Sequence, residues 1–164
     1  MSAVRLLLCG PPGAGKSTLA RRLQWRLARR GVGVALYHSD AYRTRTYERL
    51  YERAREPRDC IVDGTFHRPE WRERFRDFAD ARLVHVTADR DTCLRRDWER
   101  DGIGRAGVEA VYSALEADPP DADFTLDTEI LPVATALDLL EAKVTSWYDL
   151  RRGGEVSPLA RRAD

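Results

Sequence analysis

The chain has 164 residues, the size of one ordinary domain, and its 43% hydrophobic and 34% charged content excludes a disordered or collagen-like polymer. Its longest apolar runs, such as Leu6–Cys9 and Val32–Tyr37, fall far short of the roughly 18 residues of a membrane span, so no membrane partner is expected. A net charge of +1 hides a split: residues 1–105 carry 23 basic and 15 acidic side chains (+8), and residues 106–164 carry 5 and 12 (−7). An anionic ligand is therefore expected on the first two thirds.

Met1–Cys9 shows no cleavage-like segment, and Leu6–Cys9 followed by Gly10 reads as a buried strand. After a Gly/Pro turn, Leu19, Leu23 and Leu27 recur at helical spacing up to Gly31. Gly33–His38 reads as a second strand, followed by Ser39-Asp40 and a charged helix bearing Tyr47, Leu50, Tyr51 and Ala54 that Pro57 stops. Cys60–Val62 is a third strand running into Asp63-Gly64; Pro69 then opens a helix with Trp71, Phe75 and Phe78 on a core face. Leu83–Thr87 is a fourth strand, and Asp89–Arg100 a helix with acids first and arginines last. Gly102, Gly104 and Gly107 suggest a flexible loop, Val108–Ala117 a helix, Asp123–Asp127 a fifth strand, and Pro132 the start of a final amphipathic helix. Residues 1–150 thus form one domain with a lid near 95–107, and 151–164 a loose tail. Strands alternating with helices imply a doubly wound α/β fold with a five-stranded parallel sheet. Cys9, Cys60 and Cys93 are odd in number and widely spaced, which fits reduced thiols in a cytoplasmic protein.

Gly10-Pro-Pro-Gly13-Ala14-Gly15-Lys16-Ser17 satisfies G-x-x-x-x-G-K-[ST] between the first strand and the first helix, where that motif cradles phosphate. The backbone of Gly10, Gly13, Ala14 and Gly15 and the helix N-terminus through Thr18 would bind the polyphosphate of ATP. Lys16 would reach the β/γ-phosphates, and Ser17 would offer a hydroxyl to Mg²⁺. Of the 28 basic residues 26 are Arg, so a Lys at this position is not an accident of composition. The chain contains no Asn and hence no Asn-Lys-x-Asp guanine motif, which leaves a small phosphotransferase or an ATP-binding regulator.

A phosphotransferase needs an acceptor-side carboxylate, cations for the moving phosphoryl and a closing loop. Asp40, at the end of the second strand, and Arg43 supply a base and an anion contact, with a helix cap as the other reading of Asp40. Asp63, ending the third strand before Thr65, suits a water-mediated Mg²⁺ ligand or a second acceptor carboxylate. Arg96 and Arg100 lie one helical turn apart and can face a triphosphate; Arg95 and Arg105 flank the same loop. His67 and Arg68 are placed to touch substrate, and His38, His67 and His85 have no metal-ligand spacing.

These residues resemble the small P-loop kinases that include adenylylsulfate kinases and polynucleotide 5′-hydroxyl kinases. The likeness to the former rests on Gly13–Ala20, Asp40-x-x-Arg43, Phe66-x-x-Pro69 with Arg74, Cys93 before Arg96-Asp97, and Asp121–Thr128. The resemblance implies a 2-3-1-4-5 strand order, transfer of the γ-phosphate of Mg·ATP to a hydroxyl of a small anionic nucleotide, Asp40 as the acceptor-side carboxylate and Arg43 as an adenylylsulfate contact. It adds Phe66, Thr65 and Arg68 to the substrate side. Residues 44–53 depart from it, lacking the Gly-Leu turn and the Arg-x-x-Glu-Asn-Ile-Arg-Arg segment of adenylylsulfate kinases. Ser39–Arg43, Asp63-Gly-Thr65 and Arg96-x-x-x-Arg100 are also similar to polynucleotide kinases, which makes a nucleic-acid end the second choice of acceptor.

Overall fold

The computed structural model describes residues 3–151, with side chains described through residue 147; of the tail expected to be loose, Arg151 ends the last helix and residues 152–164 lie outside the described residues. The chain runs β1 (Arg5–Cys9), α1 (Lys16–Arg29), β2 (Ala35–His38), a 3-10 turn (Ser39–Ala41), α2 (Thr46–Ala54), β3 (Cys60–Asp63), α3 (Pro69–Phe75), β4 (Ala81–Thr87), α4 (Arg90–Glu99), α5 (Arg105–Ala117), β5 (Phe124–Asp127) and α6 (Val133–Arg151). All strand pairs are parallel, in the order 2-3-1-4-5. No helix among the described residues is long and apolar enough to cross a membrane.

The central strand β1 is buried along its whole length because helices cover both sheet faces. Leu6, Leu8, Ile61, Val84 and Val86 face one core with Leu19, Leu23 and Leu27 of α1 and Leu137, Leu140 and Val144 of α6. Leu7, Cys9, Val62 and Leu83 face the other with Leu50 of α2, Phe75 of α3 and Leu115 of α5. The alternation follows from the two-residue period of a strand. Glu141 of α6 takes Arg26 at 2.9 Å and Arg30 at 2.8 Å from α1, so the first and last helices are tied by charge as well as by leucines. Lys143 lies over the rings of Phe124 and Trp147 at 5.7 and 6.0 Å, a cation–π role far from the phosphate loop.

Two expectations are corrected. Helix α5 begins at Arg105, so Gly107 lies inside it rather than in a loop. The short connection before it is pinned, not loose: Asp97, 1% exposed, accepts the N–H of Ile103 at 3.2 Å and of Gly104 at 2.9 Å. A Cβ at Gly102 would lie 2.0 Å from Asp97 Oδ1, so a side chain there would displace the carboxylate that holds the turn.

The phosphate loop is also fixed by close backbone approach. A Cβ on Gly10 would sit 1.9 Å from the Val86 carbonyl oxygen, and one on Gly13 (φ +82°) 2.6 Å from that of Cys93. Gly33, by contrast, has nothing within 4 Å of such an atom. Gly13→Ala should therefore cost at least about 2 kcal/mol of unfolding free energy in denaturant titration, and Gly33→Ala no more than about 1 kcal/mol. Equal losses at the two positions would contradict this packing account.

Candidate phosphate-binding active site

The loop between β1 and α1 closes over itself. Gly15 (φ +100°) caps α1 without a side chain, and no acid occupies the first turn, so the N–H groups of Lys16, Ser17 and Thr18 face no competing side-chain cap. Lys16 Nζ, 8% exposed with its residue, donates 2.8 Å to the Pro11 carbonyl and so spans its own loop. Burial lowers the Lys16 pKa, against the opposing pull of Asp63.

Asp63, at the end of β3, is 3% exposed. Its Oδ2 accepts Ser17 Oγ–H at 2.6 Å and His38 Nδ1 at 2.8 Å. Burial alone would raise its pKa; the His38 hydrogen bond, the Lys16 charge and the Ser17 hydroxyl together bring it below the ordinary value. Ser17 spends its one proton on Asp63, which leaves the hydroxyl lone pairs for a cation. The donor set, a hydroxyl and an ionised carboxylate, is the hard-oxygen chemistry of Mg²⁺. Among the described residues no group of three or more His, Cys, Asp or Glu could hold a metal, so such a cation would depend on nucleotide oxygens as well.

The flanks of the loop come from distant segments. Thr128, just past β5, donates 2.7 Å to the Ala14 carbonyl and receives Arg96 Nη1 at 3.2 Å; the same Nη1 reaches the Gly13 carbonyl at 3.2 Å. Arg96, expected to face a triphosphate, is thus engaged with the loop backbone. Arg100 is exposed; its side chain bonds to Asp97 at 3.3 Å and to nothing else among the described residues, and its charge depresses the Lys16 pKa. Arg105 pairs with Glu109 on the surface, and Arg95 is exposed.

On the other side, Asp40 lies in the 3-10 turn after β2, exposed, with no hydrogen bond or ion pair among the described residues. It caps no helix, so the capping reading fails. Arg43 is likewise exposed and lines a cleft of about 360 Å³ with Thr44, Arg45, Tyr47 and Trp71. A second cavity of about 360 Å³, walled by Pro11, His85, Thr87, Tyr112 and Leu115, adjoins the loop across β4.

Two substrate-side expectations change. The Phe66 side chain is fully buried, with a backbone φ of +46° held by Tyr47 and Arg72: its N–H donates to Tyr47 Oη at 3.0 Å, and its carbonyl accepts Arg72 Nη1 at 2.7 Å. It is a packing residue in a strained turn, not a contact surface. The Thr65 hydroxyl lies between Tyr47 Oη at 3.0 Å and His67 Nδ1 at 2.7 Å, so it is used inside the protein. Arg68 is exposed, its guanidinium 5.1 Å from the Trp71 ring. The three cysteines are buried and free, and burial pushes the thiols of Cys9 and Cys60 up to about 12, so neither is a nucleophile at neutral pH.

The sheet order and the glycine cradle define a P-loop α/β domain. A family model described as an AAA domain matches residues 26–117, more than half of the chain, and the protein belongs to that family. The match begins after the Gly10–Ser17 loop. No curated protein sequence matches the chain. Among solved structures, a gluconokinase from Sinorhizobium meliloti superposes with a TM-score of 0.64 at 14% identity, over 87% of this chain and 96% of that one. The shikimate kinase of Acinetobacter baumannii, in complex with shikimate, gives 0.64 at 19% identity over 88% and 94%. The APS kinase of Mycobacterium tuberculosis, in complex with AMPPNP and APS, gives 0.62 at 16% over 90% and 98%. At these identities the likeness is one of fold.

Because Lys16 is buried as a cation, it costs stability at neutral pH. The unfolded chain holds that proton more tightly, so this cost falls as pH rises toward 10.5. Lys16→Met should raise unfolding free energy at pH 7 by about 1 kcal/mol, with the gain shrinking toward pH 10. A variant less stable than the parent at pH 7 would show that the bond to Pro11 outweighs the burial of charge.

Proposed function

We propose that the protein is a Mg·ATP-dependent phosphotransferase acting on a hydroxyl of a small anionic, nucleotide-like acceptor, with adenylylsulfate the first candidate. The observation that carries this reading is the pairing of a built phosphate cradle (Gly10–Thr18, with the Ser17–Asp63 contact at 2.6 Å) with two exposed, unpartnered side chains, Asp40 and Arg43, beyond the end of the neighbouring β2–β3 pair. The superposition on gluconate, shikimate and APS kinases and the Asp40-x-x-Arg43 pattern support it.

In this reading the amides of the loop and of the first turn of α1 hold the β-phosphate, and Lys16 exchanges its Pro11 carbonyl for the β/γ-oxygens. Ser17 and Asp63 would hold Mg²⁺, which would supply positive charge to offset that of the polyphosphate. Asp40 takes the proton of the acceptor hydroxyl as its oxygen bonds to the γ-phosphorus and the bond to the leaving ADP oxygen breaks. Arg43 fixes an anionic group of the acceptor, and Arg100 lies on the lid side of the transferring phosphoryl. Arg96 acts only by keeping the Gly13 carbonyl in place.

With adenylylsulfate as acceptor, Asp40→Asn should lower kcat by roughly 100-fold or more while ATP affinity stays within about threefold, and Arg43→Ala should raise the acceptor KM. An Asp40→Asn protein with unchanged kcat would remove Asp40 from the chemistry. ATP binding with no transfer to any acceptor would instead make the protein a nucleotide-dependent regulator.

A further inference from the structure

We propose that His38 is a positioning residue that sets the orientation of the Asp63 carboxylate and, through it, the cation affinity of the phosphate loop; this rests on the reading that Ser17 and Asp63 hold Mg²⁺. The strand register pairs His38 of β2 with Asp63 of β3, which places their side chains next to each other on one face of the sheet. Three elements then converge on a single oxygen: Ser17 from α1 at 2.6 Å, His38 from β2 at 2.8 Å, and Asp63 itself from β3.

One oxygen receiving two donors matters because the last torsion of an aspartate is soft. With Ser17 alone, the carboxylate can turn about that torsion and present either oxygen. A second donor from the opposite strand holds Oδ2 in the protein and fixes where Oδ1 lies. Oδ1 has no partner among the described residues, and it is not one of the buried polar atoms left without a hydrogen bond, so it keeps contact with solvent. It is the oxygen available to a hydrated cation. The imidazole reaches Oδ2 through Nδ1, which must carry the proton because an ionised carboxylate only accepts.

The position is half-buried rather than sealed, so the ring is not there as core filler. No other described donor reaches Oδ2: Lys16, whose charge Asp63 feels, bonds to Pro11 instead. Removing the ring would thus leave the carboxylate held by Ser17 alone, the same group whose lone pairs the cation needs.

The test is equilibrium binding of a fluorescent ATP analogue to the full chain, titrated with Mg²⁺, with a thermal melt of every variant. His38→Ala should raise the Mg²⁺ concentration at half-maximal binding about tenfold, with nucleotide affinity at saturating Mg²⁺ little changed. His38→Asn, whose side-chain N–H falls at the place of Nδ1, should recover most of that loss. An unchanged Mg²⁺ midpoint in His38→Ala would overturn the proposal, as would Asn and Ala variants equally impaired, since the ring would then act by packing alone. If His38→Ala does not fold, His38→Asn decides: a near-parental midpoint supports the positioning role, and a tenfold shift overturns it. Wild-type binding that does not depend on Mg²⁺ overturns the cation reading of Ser17 and Asp63 itself, a result distinct from a change confined to the variants.

Discussion

An ammonium and a carboxylate, both withdrawn from water at the carboxyl edge of the sheet, govern the arrangement of everything around them. Lys16 and Asp63 are 8% and 3% exposed, yet neither uses the other as its hydrogen-bond partner: Lys16 takes a backbone carbonyl, and Asp63 a hydroxyl and an imidazole. Each feels the other's charge, which favours both ionised forms. The result is a cation held close to the uncapped N-terminus of α1, where an anion of several charges would be stabilised at once. Such a site is costly without its ligand, and the two cores that sandwich the sheet supply the stability to hold it.

Holding the cradle open requires restraint from several parts of the chain. Val86 and Cys93 approach so closely that glycine is required at positions 10 and 13, Thr128 bonds to Ala14, and Arg96 bonds to Gly13. Asp97 gathers the turn between α4 and α5, which leaves Arg100 beside the site on a defined stalk rather than on a mobile loop. Sheet, loop and lid base therefore form one connected unit, with Asp40 and Arg43 exposed beyond the β2–β3 pair.

Much of the fold was legible because its signals are local. A buried run ended by glycine marks β1, leucines at helical spacing mark α1, and the phosphate motif between them states its own position. The features that escaped are pairings across strands or between remote segments. His38 has no partner in its own neighbourhood; only the β2–β3 register brings it to Asp63. Arg72 and Arg96 look like the other arginines of an arginine-rich chain, although one is buried under Phe66 and the other is bound to the phosphate loop. The likeness of Phe66 to a substrate contact failed because its left-handed backbone turns the ring into the core, a conformation that an aromatic residue does not advertise. Gly107 suggested a loop, but the buried Val108, Val111 and Leu115 that follow carry the helix through it.

The central claim is that this cradle transfers a phosphoryl group rather than only binding nucleotide. It is tested most directly by incubating the wild-type protein with γ-labelled ATP and Mg²⁺ in the presence of adenylylsulfate, a 5′-hydroxyl oligonucleotide or small sugars, and following where the label goes. The account predicts label on a hydroxyl acceptor, strongest with the small anionic nucleotide, and none when Lys16 is replaced by alanine. Tight ATP binding with all of the label left on nucleotide or released as phosphate would contradict it.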